Sequence, residues 1–405
     1  MGKFQDLPGG WRKFISYTLV AVAASAVTFG ICWGKNTTVN YSSNGNFSAS
    51  TAKLEQIYNI IQDRYIGDTD DELLIDAAAQ AMVLATGDQW SYYMSPADYM
   101  AYKENSSNAY VGIGATVNTD TPANGLLIEK VDPNGGAATV GIQAGDWITH
   151  IEGVEIYGMS LSEAQQKIRG KEGTSVELTL NRNGESITLL VPRGTIIKAV
   201  ATGQMVTDKI GLVTIVNFDE RCKKEAVAAI ESLRKQGAEA LIFDVRNNPG
   251  GYKNELVDLL DFLLPTGVLF RSESYTGAAE VDKSDAGCLK MPMAVLINGN
   301  SYSAAEFFAA AMVEYDWAIT VGEHTTGKGY FQTNIELSDG SAVHLSVGKF
   351  YTPKGVSLAE VKGIAPTYEV KLNKTEAEAL AAGELTPEDD PQMQKAVEEL
   401  DKKLR

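Results

Sequence analysis

The fold of this chain is set by the stretch Met293-Ala-Val-Leu-Ile-Asn-Gly-Asn-Ser-Tyr-Ser303-Ala-Ala-Glu306-Phe-Phe-Ala-Ala-Ala-Met312, which passes from an apolar strand pattern to an alanine-rich helix pattern. A serine at such a corner lies at the carboxyl end of a sheet, beside first-turn N–H groups that have no partner within the helix. Ser303 and Glu306 also have the Ser-x-x-Glu spacing of a capping box. The stretch alone therefore leaves two interpretations of Ser303 open, a nucleophile and a helix cap.

Alternating strand and helix patterns extend on both sides of this corner and predict an α/β domain with a largely parallel sheet. Sites in such sheets gather beyond the carboxyl ends of the strands. Three segments follow predicted strands in this way: 246–251, 298–303 and 322–332. The predicted strands are 210–216, 240–245, 293–297 and 318–321, and the predicted helices are 223–235, 253–264 and 304–314.

A serine nucleophile needs a base, and Lys328 in the third segment is the best-placed candidate. The three histidines of the chain form no evident Asp-His-Ser arrangement. Burial would lower the pKa of Lys328, because desolvation disfavours the charged ammonium, and the neutral amine could then accept a proton. If the segment is extended, Gln332 lies on the same face and its amide could orient the amine.

Two segments offer backbone N–H groups that could stabilise an oxyanion. Gly250 and Gly251 follow a predicted strand and have no side chain to block a ligand, and Ala304 begins a predicted helix. Two alternatives stay open. The glycine pair fits an ordinary Pro-Gly turn, and Gly322-Glu-His-Thr-Thr-Gly-Lys328-Gly falls one residue short of a phosphate-binding loop, which needs Ser or Thr after the lysine.

Residues 110–193 differ from the rest in their short alternating strand patterns and many glycines. Three motifs in this region resemble those of a PDZ domain: Tyr110-Val-Gly-Ile-Gly114, Asp132-Pro-Asn-Gly-Gly-Ala-Ala138 and Gly141-Ile-Gln-Ala-Gly-Asp-Trp-Ile148. The resemblance implies a carboxylate-binding loop formed by Val111, Gly112, Ile113 and Gly114, whose N–H groups would capture the C-terminus of a peptide that adds as a strand. A plain tight turn is the alternative for these glycines.

Length, charge and cysteine content limit the classes of function. The chain has 405 residues, enough for two or three domains with their own cores. Its net charge of −17 argues against nucleic acid as a partner, because phosphate binding needs a basic face. Cys32, Cys222 and Cys288 have no metal-binding spacing, and the pairing of the last two is not readable from the sequence. The sequence implies no metal and no organic cofactor.

The N-terminal region has the pattern of a membrane anchor. Residues 14–33 carry no charge and, at about 1.5 Å per residue, would span roughly one bilayer core. Because Lys3, Arg12 and Lys13 precede this run, residues 1–13 are expected in the cytoplasm and the body outside it. A cleaved signal peptide is the alternative. A linker follows at 36–50, and then two amphipathic helix patterns that are candidate dimer surfaces.

Seven segments carry a family resemblance: Gly87-Asp-Gln-Trp-Ser-Tyr-Tyr-Met-Ser-Pro96, Asn217-Phe-Asp-Glu-Arg221, 244–251, 301–306, 327–332, Tyr351-Thr-Pro-Lys-Gly355 and Lys362-Gly-Ile-Ala-Pro366. Together they are similar to the C-terminal processing peptidases, or tail-specific proteases, whose core belongs to the ClpP/crotonase-like group. The resemblance implies that Ser303 is the nucleophile, that Lys328 is the general base and that Gln332 orients it. It also implies that a glycine of the 250–251 pair and Ala304 supply the oxyanion N–H groups.

Three residues depart from the family pattern. Where the family usually has Ser-Ala-Ser-Ala-Ser-Glu, this chain has Ser-Tyr302-Ser-Ala-Ala305-Glu, and Thr367 stands where an acidic residue is common. We expect none of the three to touch the dyad, and we expect them to affect substrate preference instead.

We therefore predict an α/β ClpP/crotonase-like protease core with an inserted β-rich PDZ domain, N-terminal helices and one N-terminal transmembrane helix. The predicted regions are a cytoplasmic N-terminus 1–13, an anchor 14–33, a linker 36–50, a helical region 51–108, a PDZ domain 109–195, a peptidase core 196–373 and a helical tail 374–405. The tail is expected to contain a solvated surface helix near 393–404.

The predicted function is that of a membrane-anchored, extracytoplasmic serine endopeptidase. Its PDZ domain would recognise the free C-terminal tails of protein or peptide substrates, and a Ser303–Lys328 dyad would cleave them. A catalytically inactive PDZ-type peptide-binding protein is the main alternative, and a crotonase-type acyl-transfer enzyme is the second.

Overall fold

The computed structural model describes residues 48–118 and 125–405. The predicted anchor at 14–33 lies outside these residues, whereas the last three positions of the predicted linker belong to the first helix. Within residues 48–118 and 125–405, no helix is both long and apolar enough to traverse a lipid bilayer. The described residues form two compact units: the second lies within Glu104–Ala199, and the first contains the described residues on either side of it, from 48 to 103 and from 200 to 405.

The helices and strands are numbered in chain order. The helices are α1 (Ser48–Arg64), α2 (Asp71–Leu84), α3 (Pro96–Ser106), α4 (Gly136–Thr139), α5 (Leu161–Ile168), α6 (Cys222–Lys235), α7 (Lys253–Leu263), α8 (Ala304–Glu314), α9 (Leu358–Val361), α10 (Lys374–Ala382) and α11 (Pro391–Leu404). The strands are β1 (Tyr92–Met94), β2 (Ala109–Gly112), β3 (Ala115–Asn118), β4 (Leu126–Val131), β5 (Trp147–Ile151), β6 (Val154–Glu155), β7 (Ser175–Arg182), β8 (Glu185–Pro192), β9 (Gly194–Ile197), β10 (Ala201–Met205), β11 (Ile210–Ile215), β12 (Ala240–Asp244), β13 (Gly267–Ser274), β14 (Ala279–Ser284), β15 (Met293–Ile297), β16 (Ala318–Gly322), β17 (Tyr330–Glu336), β18 (Ala342–Tyr351) and β19 (Tyr368–Glu369).

A six-stranded sheet in the order β10-β11-β12-β15-β16-β19 organises the first unit. All neighbouring strands are parallel except the edge pair β10–β11. All five residues of β15 are buried, as expected for a parallel strand that is covered on both faces. The predicted strand 293–297 and helix 304–314 are confirmed with the same bounds. The carboxyl ends of β12, β15 and β16 therefore meet at one edge, where the three candidate segments begin.

Helices cover both faces of this sheet. The buried side chains of α6, α7 and α8 form one cluster with residues of the sheet, among them Phe243 and Val295. On the other face, Met393, Ala396 and Leu400 of α11 pack against a second set of strand residues. The prediction of a solvated surface helix near 393–404 is therefore wrong, because these apolar residues complete the burial of the sheet.

A second sheet in the first unit is antiparallel, with the order β1-β18-β13-β14 and with β17 also paired to β18. Strand β18 is long enough to pair along one side with β1, where Tyr92 is opposite His344, and then with β13. On its other side it pairs with β17, where Gln332 is opposite Ser346. The predicted site segment 322–332 thus runs from the end of β16 into this second sheet.

The second unit is a small antiparallel structure in which β3-β4-β5-β7-β8 form one sheet, with β6 on β5, and β2 and β9 form a separate pair. Its core contains fully buried residues such as Ile128, Ile148 and Leu178. Asn183 and Gly184 have φ values of +52° and +91° and form a two-residue turn between β7 and β8, as expected of an Asn-Gly hairpin turn.

Candidate active site

Ser303 lies directly before α8 and is fully buried. Its backbone has φ +58° and ψ −126°, a region that a residue with a side chain rarely adopts. Such a conformation costs on the order of 1–3 kcal/mol and is concentrated at functional sites. The Ser303 hydroxyl has no hydrogen-bond partner among the described residues. A buried hydroxyl held in a strained corner fits a nucleophile better than a helix cap alone.

The Glu306 carboxylate accepts four hydrogen bonds, although its side chain is fully buried. Oε1 accepts from the Thr325 hydroxyl at 2.5 Å and from the Gly327 N–H at 2.7 Å. Oε2 accepts from the Lys328 N–H at 2.9 Å and from the Ser303 N–H at 3.1 Å. Burial raises the pKa of Glu306, and the hydrogen bonds oppose that rise. One carboxylate therefore connects the two loops that carry the predicted dyad.

Lys328 is also fully buried, and its amine lies close to two aromatic rings. Its Nζ is 4.6 Å from the centroid of the Trp90 ring and 5.8 Å from that of Tyr302. Both distances are within the range of a cation–π contact. The prediction that Tyr302 does not touch the dyad is therefore wrong, since this departure from the family pattern places a ring beside the base.

The structure places Ser303, Lys328 and Gln332 in one buried region, but the dyad is not joined by a hydrogen bond. Ser303 Oγ has no partner, and Gln332 Oε1 has none either. The Gln332 amide donates to the Tyr330 carbonyl at 3.2 Å and to the hydroxyl of Ser346 at 3.0 Å. These bonds fix the amide and leave its oxygen available as an acceptor.

The predicted oxyanion donors lie next to the nucleophile. A Cβ on Gly250 would be 2.7 Å from the Ser303 Cβ and 2.9 Å from the Ala304 nitrogen, so only glycine fits there. The Gly250 N–H, however, donates to Asn248 Oδ1 at 2.8 Å. Gly251 has φ +147°, and a Cβ there would be 2.3 Å from the Phe218 backbone. Among the predicted oxyanion donors, the Gly250 N–H therefore already donates a hydrogen bond within the chain.

The loop after β12 is anchored by a buried charge network. The Arg246 guanidinium donates to Asp244 at 2.6 Å and forms an ion pair with Asp390 at 2.7 Å, and all three side chains are largely buried. These two carboxylates raise the pKa of Arg246 despite its burial. In the same loop, the Asn247 N–H donates to Asn298 Oδ1 at 2.9 Å. The network thereby joins the glycine loop to α11 and to the loop that carries the nucleophile.

The predicted carboxylate-binding loop of the second unit is divided between a strand and a turn. Val111 and Gly112 belong to β2 and pair with β9. Ile113 and Gly114 form the turn before β3, which is the edge strand of its sheet. Gly114 has φ +74°, and a Cβ there would be 2.7 Å from the Gly135 Cα. An edge strand beside a tight glycine turn is a surface on which a peptide strand could add.

The structure decides two questions that the sequence leaves open, the phosphate-binding loop at Lys328 and the pairing of Cys222 with Cys288. No helix follows Lys328, because β17 begins at Tyr330, so the segment does not form a phosphate-binding loop. Cys222 and Cys288 are both free, and Cys32 lies outside the described residues. Within the part of the chain that the structure describes, no group of three or more His, Cys, Asp or Glu side chains could hold a metal ion.

The sequence interpretation missed the roles of two residues in this site. The capping-box spacing of Glu306 places it at Ser303, but that spacing gives no signal of its hydrogen bonds to Gly327 and Lys328. Trp90 belongs to the motif 87–96, and nothing in its local sequence indicates that it packs against Lys328.

Comparisons with known proteins identify the family of the chain. The model of peptidase family S41 matches residues 209–370, a PDZ domain model matches residues 127–182, and the N-terminal domain of the activating protease CtpB matches residues 22–97. The carboxy-terminal processing protease CtpA of Bacillus subtilis is 36% identical over 369 residues, which cover 89% of this chain and 77% of that protein. A CtpA-like serine protease of Staphylococcus saprophyticus is 32% identical over 323 residues, covering 79% of this chain and 65% of that relative.

A solved structure of a candidate S41 protease from Bacteroides fragilis has a similar fold, with a TM-score of 0.51 and 16% identity, covering 84% of this chain and 95% of the other. These matches do not favour an inactive peptide-binding protein or an acyl-transfer enzyme. The chain belongs to the carboxy-terminal processing serine proteases of peptidase family S41, and it contains a PDZ domain.

Proposed function

We propose that this protein cleaves peptide bonds with Ser303 as the nucleophile and Lys328 as the general base. The observation that supports this most strongly is the Glu306 carboxylate, which binds the backbone of both residues and so holds two buried reactive side chains on adjacent loops. Complete burial removes the hydration of the Lys328 ammonium and so favours the neutral amine that a general base requires.

In the acylation step, Ser303 Oγ attacks the scissile carbonyl carbon while Lys328 Nζ takes the hydroxyl proton. The tetrahedral intermediate carries a negative oxygen, which the Ala304 and Gly251 N–H groups would stabilise. The intermediate collapses with cleavage of the C–N bond, and the Lys328 ammonium returns the proton to the leaving amine. The C-terminal fragment leaves, and the acyl group remains on Ser303.

In the deacylation step, Lys328 takes a proton from a water molecule that attacks the ester carbon. Cleavage of the ester bond then releases the carboxylic acid product, and the proton passes from Lys328 back to Ser303. Both steps require Nζ within hydrogen-bond reach of Oγ. Lys328 must therefore move from its contact with Trp90 toward Ser303, where the free Gln332 Oε1 can accept a hydrogen bond from the amine.

The second unit would supply recognition of the substrate tail. A peptide that adds antiparallel to β3 would place its C-terminal carboxylate near the turn at Ile113 and Gly114. The measurement is binding of one peptide with a free C-terminus and with a C-terminal amide. Tighter binding of the free acid is expected, and equal affinity would contradict the proposal.

The proposal extends to location and assembly. Residues 14–33 would anchor the protein in the cell membrane, with the catalytic body extracytoplasmic. Protease protection in intact cells tests the location.

Helix α2 contains no buried residue, and Leu73 and Ile75 are 68% and 57% exposed, which supports a homodimer through this helix. Sedimentation of the wild type and of the Leu73→Glu/Ile75→Glu variant tests the dimer, and a monomeric wild type would contradict it.

The catalytic assignment is tested with a peptide-cleavage assay on the wild type and on the Ser303→Ala and Lys328→Met variants. Both variants should lose cleavage, whereas the exposed control substitutions Ser338→Ala and Lys354→Met should retain it. In the wild type, kcat/KM is expected to rise with pH as the Lys328 ammonium loses its proton. Cleavage by Ser303→Ala at the wild-type rate would exclude this mechanism.

A further inference from the structure

A cavity of about 850 Å³ in the first unit lies next to the proposed base but does not include it. It is lined by the segment before β1 and by parts of β13, β17 and β18, among them Trp90, Tyr330 and Ser346. Lys328 is fully buried, and Trp90 is only partly buried. The Trp90 indole thus contacts the Lys328 amine and also lines the cavity.

The backbone of Trp90 is held by hydrogen bonds that do not involve the base. Its N–H donates to Asp88 Oδ1 at 3.0 Å, and the adjacent Ser91 hydroxyl donates to Asp88 Oδ2 at 2.5 Å. Ser91 Oγ in turn accepts the N–H of Ser346 in β18 at 2.9 Å. These bonds hold the Trp90 backbone at the cavity wall, and none of them is made by the indole ring that contacts the Lys328 amine.

We propose that Trp90 is a positioning residue that connects a substrate subsite to the general base. The indole and the Tyr302 ring, whose centroids are 5.9 Å apart, hold the Lys328 ammonium while the cavity is empty. A substrate segment in the cavity, with an apolar or aromatic side chain against Trp90 and Tyr330, displaces the indole and frees the amine to approach Ser303. This inference rests on the proposed function and adds to it the site where the peptide acts on the base.

The cation–π contact stabilises the ammonium and not the neutral amine, so it opposes proton loss. Other titratable groups also face Lys328: the Glu306 carboxylate accepts its N–H, the Tyr302 hydroxyl belongs to the second ring, and His344 interacts with its charge. These groups are unchanged when only Trp90 is substituted. The acid limb of kcat/KM in a Trp90→Leu variant should therefore lie about one pH unit lower, which corresponds to about 1.4 kcal/mol.

The test compares the pH profiles of kcat/KM for the wild type, Trp90→Leu, Trp90→Phe and Trp317→Phe. Trp90→Phe keeps a ring and should show a smaller shift. Trp317 donates a hydrogen bond to the Leu289 carbonyl, so its substitution should lower the melting temperature without moving the acid limb. An acid limb at the same pH in Trp90→Leu and Trp317→Phe would overturn the proposal.

Fluorescence tests the connection to the cavity without measuring activity. A peptide substrate added to Ser303→Ala should change the tryptophan emission, and most of that change should be lost in Ser303→Ala/Trp90→Phe. An equal change in both proteins would show that Trp90 does not sense the substrate, which overturns the proposal. If Ser303→Ala cleaves at the wild-type rate, the proposed function fails, whatever Trp90 does. If cleavage requires Ser303 and Lys328, but substitution of Trp90 changes neither the acid limb nor the fluorescence response, only this inference fails.

Discussion

The carboxylate of Glu306 offers the sharpest test of how the site is assembled. A Glu306→Gln substitution keeps the shape of the side chain but replaces one acceptor oxygen with an amide NH2 group. Because all four groups that face the carboxylate are donors, two of them would then lose their acceptor. The affected pair is either that of Ser303 and Lys328 or that of Thr325 and Gly327.

The size of the effect follows from the burial of the site. Each buried donor without an acceptor costs about 1–3 kcal/mol, so the substitution costs roughly 2–6 kcal/mol in total. If half of this cost, about 1–3 kcal/mol, falls on the alignment of Ser303 and Lys328 in the transition state, kcat/KM decreases about 5- to 160-fold. The rest should be visible as a lower free energy of unfolding.

The same helix provides a matched control. Glu314 at the end of α8 accepts hydrogen bonds from the Thr352 hydroxyl at 2.6 Å and from the Lys354 N–H at 2.7 Å. Glu314→Gln should therefore lower stability without a selective loss of kcat/KM. Peptide cleavage and urea unfolding of both variants are the assays. A Glu306→Gln enzyme that keeps kcat/KM within twofold of the wild type, or loses no more activity than Glu314→Gln, would show that the Glu306 carboxylate does not align Ser303 and Lys328.

Three further substitutions have defined outcomes. Gly250→Ala places a Cβ 2.7 Å from the Ser303 Cβ on a backbone with φ +98°, and it should slow labelling of the enzyme by a fluorophosphonate about 100-fold or more. In the control Gly299→Ala, the new Cβ has no atom nearer than 3.7 Å, and labelling should proceed at the wild-type rate. Equal labelling rates of the two variants would contradict the prediction. Arg246→Met leaves Asp390 buried without its cation and should lower the free energy of unfolding by about 3–5 kcal/mol in urea titrations, and a loss below 1 kcal/mol would be inconsistent with the network. Burial, and then the charge of the proposed base, lower the pKa of His344 well below 6.5, so stability should fall as pH decreases below about 6.5. In His344→Phe the melting temperature should depend less on pH between 7 and 5, and an unchanged dependence would assign that loss to other groups.

Local pattern was sufficient to predict the elements that position the nucleophile. The apolar run Met293–Ile297 and the alanine-rich run Ala304–Glu314 each have one dominant periodicity, and both have the predicted bounds. The C-terminal helix was interpreted wrongly because its charged residues dominate the sequence. Met393, Ala396 and Leu400 are few, and their burial depends on a sheet formed by residues far away in the chain.

The contacts around the base were less accessible to sequence analysis. Lys328 and Gln332 could be identified from their flanking glycines and from the family resemblance, but the contact with Trp90 depends on the pairing of β1 with β18. That pairing joins distant segments, and no local periodicity specifies it. Tyr302 is a similar case, because its neighbour in space is determined by the loop that Glu306 holds in place.

The central claim is that Ser303 is the nucleophile and that Lys328 activates it. The most direct measurement is peptide mapping by mass spectrometry after reaction with a fluorophosphonate, combined with the labelling rates of the wild type, Ser303→Ala and Lys328→Met. We expect one adduct on Ser303 in the wild type, none in Ser303→Ala, and a slower reaction in Lys328→Met. An adduct on another residue, or labelling of Ser303→Ala at the wild-type rate, would contradict it.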